Sequence, residues 1–196
     1  TLYNPTTEKF KTFTIDKKKI FDIQDISISD TKELYIATLG YGIVKFNPTN
    51  NNFTIIEWPD GAKKISLISC LDGGELLVFT EDEKLYHYNP LTLESFQIPL
   101  SNLGNDDFSI LRIRQTDKGE ILLGTTHGVY QYNQKNKSVQ RDFQSNRALQ
   151  NLSIKDLIYS NDKWFFATAA SGLYTLNEDG ELFNSTQDLF QKSALM

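Results

Sequence analysis

Asp117-Lys118-Gly119-Glu120-Ile121-Leu122-Leu123-Gly124-Thr125-Thr126-His127-Gly128-Val129-Tyr130-Gln131-Tyr132-Asn133 contains the plan of the whole chain. Asp, Lys and Gly at its start suit a tight hairpin, where Asp, Asn and Gly tolerate positive φ. Ile121 to Thr125 is apolar without alternation, the signature of a strand covered on both faces. Gly128 closes a second turn. Residues 129–133 then alternate and end on Asn, a residue that hydrogen-bonds its own backbone in turns.

The same order recurs on either side. Apolar runs ending in Thr stand at residues 34–38, 76–80, 121–125 and 164–168, so the threonines step by 42, 45 and 43 (from 38 to 80, to 125, to 168). An aromatic or aliphatic residue followed by Asn recurs at Tyr3-Asn4, Phe46-Asn47, Tyr88-Asn89, Tyr132-Asn133 and Leu176-Asn177. Two landmarks sharing one period of about 40–45 residues indicate the blades of a β-propeller. Strands before each run, at 25–29, 65–70, 110–115 and 154–160, are read as innermost. Those after it, at 43–47, 85–89, 129–133 and 173–177, are read as third, closer to the rim. Polar stretches at 53–57, 95–98, 139–143 and 181–184 are read as outer edge strands. The expected fold is all-β, a propeller fragment with four four-stranded antiparallel blades at about 24–57, 65–98, 110–143 and 154–184. An orphan outer strand at 10–15 belongs to a 1–15 tail of a preceding blade, and 185–196 is a terminal segment, helical or frayed. Because the chain opens in mid-motif, it is expected to be an arc of a larger ring. The remaining blades of the parent chain, or self-association as a homo-oligomer, would cover its open faces.

Bulk properties narrow the partners. Hydrophobic residues make up 39% and charged residues 23% of 196, ordinary for a globular chain. No run approaches the roughly 18 apolar residues of a membrane span. A formal net charge of −5 speaks against a nucleic-acid partner. Lys17-Lys18-Lys19 is read as a solvated loop, and Cys70, the single cysteine, as a small core residue that excludes an intrachain disulfide.

The residues from Asp117 to Asn133, and those from Asp30 to Pro48, resemble the two-component regulator propeller repeat. So does the blade opening Asn151-Leu152-Ser153-Ile154-Lys155-Asp156-Leu157. The resemblance covers nearly the whole chain and rests on four aligned copies. Departures are apolar replacements: the family's Trp of the second strand is Tyr35, Leu77, Leu122 and Phe165 here, with Trp164 one place early, and the Gly before Thr is Ala37, Phe79 and Ala167 in three copies. The resemblance implies a non-catalytic piece of the periplasmic, ligand-sensing region of a bacterial sensor histidine kinase, many of which are hybrid two-component systems detecting oligosaccharides.

The residues offer little for catalysis. There is no HExxH, no paired Cys or His at metal-ligand spacing and no phosphate-cradling loop, so no metal or other cofactor is implied. His87 reads as packed or rim-facing. Asp30, Asp72 and Asp117 read as turn formers, and Glu81-Asp82-Glu83 as a solvated hairpin tip. A sugar site needs an aromatic platform beside planar polar groups; the candidates are Tyr41, Trp58, Arg112, Arg114, His127 and Arg147. Arg112 and Arg114, two apart on an innermost strand, share one side. Pointed at the axis they would favour an anionic ligand, unless paired with Asp106 or Asp107. Two other readings compete with the sensor: a scaffold for protein partners, and a lyase similar to the streptogramin lyases, in which His127 would need an acid beside it.

Overall fold

The computed structural model describes residues 2–12, 22–58, 61, 63–103, 108–116, 118–141 and 148–186. It opens with a two-stranded hairpin, β1 (Leu2–Asn4) against β2 (Lys9–Lys11). Four antiparallel four-stranded sheets follow, each running in chain order from an innermost to an outer strand. Blade 1 is β3 (Asp22–Ile28), β4 (Leu34–Leu39), β5 (Gly42–Asn47) and β6 (Asn52–Ile56). Blade 2 is β7 (Ile65–Cys70), β8 (Leu76–Thr80), β9 (Leu85–Asn89) and β10 (Glu94–Ile98). Blade 3 is β11 (Ile110–Gln115), β12 (Ile121–Thr125), β13 (Gly128–Asn133) and β14 (Ser138–Gln140). Blade 4 is β15 (Ile154–Ser160), β16 (Lys163–Thr168), β17 (Leu173–Leu176) and β18 (Leu182–Asn184).

The all-β propeller fragment with four such blades is thus the observed architecture. The lone outer strand expected at 10–15 is instead a hairpin whose second strand ends at Lys11; residues 13–15 lie outside the described residues, as does the Lys17-Lys18-Lys19 run. Of the terminal segment, Ser185 and Thr186 begin a helical turn, and residues 187–196 lie outside the described residues.

Side-chain alternation explains how the blades stack. In β8, Leu76 and Val78 pack with Tyr35, Ala37 and Ile43 of blade 1, whereas Leu77 and Phe79 pack with Ile121, Leu123 and Tyr130 of blade 3. In β12, Leu122 turns to Trp164 and Phe166 of blade 4. Each second strand therefore has a leading face towards the preceding blade and a trailing face towards the next. Burying both faces requires an unbroken apolar run, and each fully buried Leu, Ile or Phe contributes about 1.5–3 kcal/mol. β8 and β12 are buried at every position, while in β16 only Trp164 and Phe166, on the leading face, are buried. The third strands of blades 1 to 3 are covered almost as fully, contrary to the rim-like character expected of them, whereas in β17 only Leu176 is buried. Gly124 is explained by the same packing: a Cβ there would lie 2.7 Å from Leu157 Cδ2 and 3.0 Å from Ile154 Cγ2.

The recurring Thr and Asn are turn locks. Thr38 Oγ1 donates to the Gly42 carbonyl (2.9 Å) and accepts from Tyr41 N (3.1 Å). Thr125 Oγ1 does the same with the Gly128 carbonyl (2.9 Å) and His127 N (3.0 Å), and Thr168 with the Gly172 carbonyl (2.8 Å) and Ser171 N (3.0 Å). In blade 2, Thr80 closes on Lys84 by both bonds, and Glu83 takes the positive φ (60°). The Asn Oδ1 atoms accept two successive backbone N–H groups each: Thr49 and Asn50 at Asn47, Leu91 and Thr92 at Asn89, Lys135 and Asn136 at Asn133.

Thr125→Val keeps the shape but leaves the buried Gly128 carbonyl and His127 N–H without their partner. A loss of about 1–3 kcal/mol is expected from urea unfolding, with the β-sheet circular dichroism retained.

Candidate functional site between the innermost strands

Every innermost strand has a bulge one residue after an Ile near its start, between Ile23 and Asp25, Ile65 and Leu67, Ile110 and Arg112, and Ile154 and Asp156. A bulge re-aims the following side chain and sharpens the twist. It places Asp25, Leu67, Arg112 and Asp156 at equivalent positions on successive blades. Arg112 is therefore able to reach two other blades. Its Nε lies 3.2 Å from Asp156 Oδ1 of blade 4, and its Nη1 lies 4.0 Å from Asp25 Oδ1 of blade 1. The Nε–H is not aimed along a hydrogen bond, so the contact is an ion pair. Arg114 Nη2 also meets Asp156 Oδ1, at 3.4 Å, and its Nη1 donates to the Ile113 carbonyl. Both guanidinium groups do project together, but towards Asp156. Asp106 and Asp107, the partners considered from sequence, lie outside the described residues.

Towards the first turns of blades 1 to 3, the innermost strands leave a cavity of about 500 Å³. Asp30, Asp72, Arg114, Gln115 and Thr116 supply its polar groups. Gln115 Nε2 is buried there without a hydrogen-bond partner. One Arg against two Asp gives this mouth no excess of positive charge. Cys70 also lines it, half-buried rather than in the core; burial pushes its thiol pKa up, so it stays protonated.

Of the other expected site residues, Trp58 is 9% exposed and packs edge-on against Tyr86 and tilted against Tyr88. Its face is spent on the core between blades 1 and 2 and is not a platform for a ligand. Tyr41 and His127 occupy second-to-third-strand turns, at the opposite end of the blades from the cavity; Tyr41 packs near Ile36, Val44 and Phe46, and His127 Nδ1 lies 3.0 Å from Thr126 Oγ1. Arg147 and Asp117 lie outside the described residues. Glu81 and Asp82 are exposed and paired with Lys64 and Lys84. Among the described residues no His, Cys, Asp and Glu group could hold a metal ion.

One polar cluster was not singled out from the sequence. The residue before the second strand is Glu in three blades, and each Glu meets the polar residue of the third strand: Glu33 with Lys45 (2.7 Å), Glu75 with His87 (2.8 Å) and Glu120 with Gln131 (3.3 Å). The recurrence of Glu before three of the four apolar runs was the available signal. The Glu75–His87 pair continues across the blade boundary: His87 Nδ1 lies 2.6 Å from the Tyr132 hydroxyl, and Gln134 Nε2 donates to Glu75 (3.0 Å). His87 is 2% exposed, so it is packed. Burial holds its pKa below the ordinary 6.5, outweighing the opposing charge of Glu75, while Lys137 adds to the lowering. Burial would raise Glu75, but the Gln134 hydrogen bond and His87 bring it below 4.5. Burial, with the Glu75 charge, pushes Tyr132 upward.

These shifts fix the sign of a pH dependence. A depressed folded pKa makes stability complete above the unfolded value and lost as pH falls through the folded one. Unfolding free energy is therefore expected to be flat between about pH 6.5 and about pH 8.5 and to decline below that window, first through His87 and then, below about pH 4.5, through Glu75. In His87→Gln the first decline, at most about 1.4 kcal/mol per pH unit, should vanish in urea titrations between pH 5 and 7.

No protein-family model matches the sequence, and no curated protein sequence matches it. Solved structures do. The extracellular domain described as hybrid two component system BT3049 from B. thetaiotaomicron aligns at TM-score 0.72 and 17% identity, over 93% of this chain and 25% of that one. That of BT4673 from the same organism aligns at TM-score 0.70 and 18% identity, over 93% and 24%. Virginiamycin B lyase from Staphylococcus aureus aligns at TM-score 0.62 and 15% identity, over 83% and 54%. The chain spans about a quarter of the two extracellular domains and about half of the lyase, and what it shares with all three is the fold.

Proposed function

We propose that this chain is a non-catalytic part of the ligand-sensing, periplasmic ectodomain of a two-component sensor histidine kinase, and that it takes a neutral oligosaccharide at the cavity between its innermost strands. The observation that carries the reading is the buried, unpartnered Nε2 of Gln115 beside Asp30, Asp72, Arg114 and Thr116 in a cavity of about 500 Å³. An amide and two carboxylates beside one space, with Arg114 and Thr116 in its lining, suit the dense hydroxyls of a sugar. Two Asp offset Arg114 there, and Asp156 and Asp25 engage Arg112, which favours a neutral ligand over the anionic one suggested by two arginines alone. The likeness to extracellular domains of hybrid two-component systems supports the sensing role.

Signalling would be a shift between arrangements of paired ectodomains. The ligand must bind one arrangement better, since equal affinity for both moves nothing. Calorimetric titration with neutral and acidic oligosaccharides tests the reading. A neutral sugar should bind, and Gln115→Leu should weaken it about 3- to 10-fold. No heat with any sugar, or binding unchanged in Gln115→Leu and Asp72→Asn, would refute it.

A further inference from the structure

Two hollows open at the end of the blades where the first and third turns lie. One is the cavity between the innermost strands of blades 1 to 3. The other, of about 520 Å³, lies further out on blade 3, between its first turn at Lys118–Glu120 and the end of its third strand from Gln131 to Lys135. Asp72, in the first turn of blade 2, lines both. The hollows also meet at Gly119. A Cβ there would lie 3.0 Å from Asp72 Oδ2 and 4.0 Å from Gln115 Nε2, the buried amide of the inner cavity. Gly119, in the lining of the outer hollow, thus stands against two polar groups of the inner one.

What separates the hollows is almost bare backbone. Asp72, Gly73 and Gly74 form an exposed turn. A Cβ on Gly73 or Gly74 would meet nothing within 4 Å. The same two turn positions hold Thr31 and Lys32 in blade 1, where Lys32 takes the positive φ (60°), and Lys118 and Gly119 in blade 3. Only blade 2 leaves both without a side chain, so its turn is a low saddle. Gln134 ties the saddle to blade 3, its Nε2 donating to the Asp72 carbonyl (3.1 Å) and to Glu75 Oε2 (3.0 Å). The outer lining sets Lys118 and Lys135 against Asp72 and Glu120, so it too carries no excess charge, and it adds the amides of Gln131 and Gln134.

We propose that the ligand is a chain of neutral sugar units that starts in the inner cavity, crosses the Asp72–Gly74 saddle and ends in the outer hollow. This rests on the sugar reading of the inner cavity and adds the length and path of the ligand. Pockets for complete small ligands span roughly 300–1,000 Å³, so either hollow alone suits a short fragment and the two together suit a chain of about four units. Asp72 touches the chain at the crossing and sets which unit lies there.

The test is calorimetric titration with two-, four- and six-unit cello-, xylo- and malto-oligosaccharides. In a series that binds, the four-unit member should bind at least ~10-fold more tightly than the two-unit member, as one or two further hydrogen bonds give. Gly74→Leu sets a side chain on the saddle at a φ that Lys32 (60°) and Leu93 (61°) already adopt. In that variant the ratio should fall below ~3-fold. Independently, the exposed Lys135 marks the outer hollow. Lys135→Cys should lose most of its maleimide reactivity in saturating four-unit sugar and keep it in the two-unit sugar, with peptide masses separating this thiol from Cys70. If Gly74→Leu does not fold, the maleimide result decides alone. Equal affinity at all lengths overturns the proposal. So does a length gain that leaves the Lys135→Cys thiol reactive. Both outcomes leave the sugar reading of the inner cavity standing, whereas no binding in any of the three series removes the two together.

Discussion

Burial of second strands on both faces is the constraint from which the rest of this structure follows. An isolated blade is a small antiparallel sheet with an apolar run through its middle, and it cannot shield that run alone. Leu76 and Val78 need blade 1, and Leu77 and Phe79 need blade 3. The alternation of facing makes each blade at once a cover for one neighbour and a guest of the other. The ends of the arc show the cost of breaking that order: Ile26 and Ile28 at one end, and Ile158 and Leu173 at the other, stand exposed.

Polar contacts are arranged within that frame. The bulge that opens each innermost strand carries charge towards the axis on three of four blades, and Arg112 joins blades 1 and 4 from blade 3. Across the boundary of blades 2 and 3, His87 and Tyr132 meet in a region closed to water. Such buried pairs are costly to leave half-made, so they fix how two blades sit against each other as well as how strongly. The cavity beside Gln115 is different: a buried amide without a hydrogen-bond partner lies beside open space, which is why it is the place read as receptive.

Much of the fold was legible because the repeat writes its chemistry at fixed positions. Thr38, Thr80, Thr125 and Thr168 stood out as a period before their hydroxyls were known to close turns. The candidate site was legible only in part. Arg112 and Arg114 were read correctly as sharing a side, but their partner Asp156 lies 44 and 42 residues away along the chain (from 112 and 114 to 156) and enters only through the packing of blade 4 on blade 3. Trp58 looked available because it follows an outer strand, and the fold turned it into the core. The hairpin at Leu2–Lys11 was half-seen, since Tyr3-Asn4 gave the turn but three-residue strands have too little alternation to declare themselves.

The sequence by itself determined the local grammar: which runs are strands, where Gly, Asn and Thr turn the chain, and that several such units must stack. It could do so because backbone conformation and side-chain alternation act over a few residues. Only the tertiary structure decided which charges meet, which aromatic rings are buried and where space remains between the innermost strands. Those outcomes depend on the distance and twist between separate sheets, and no short-range pattern records them.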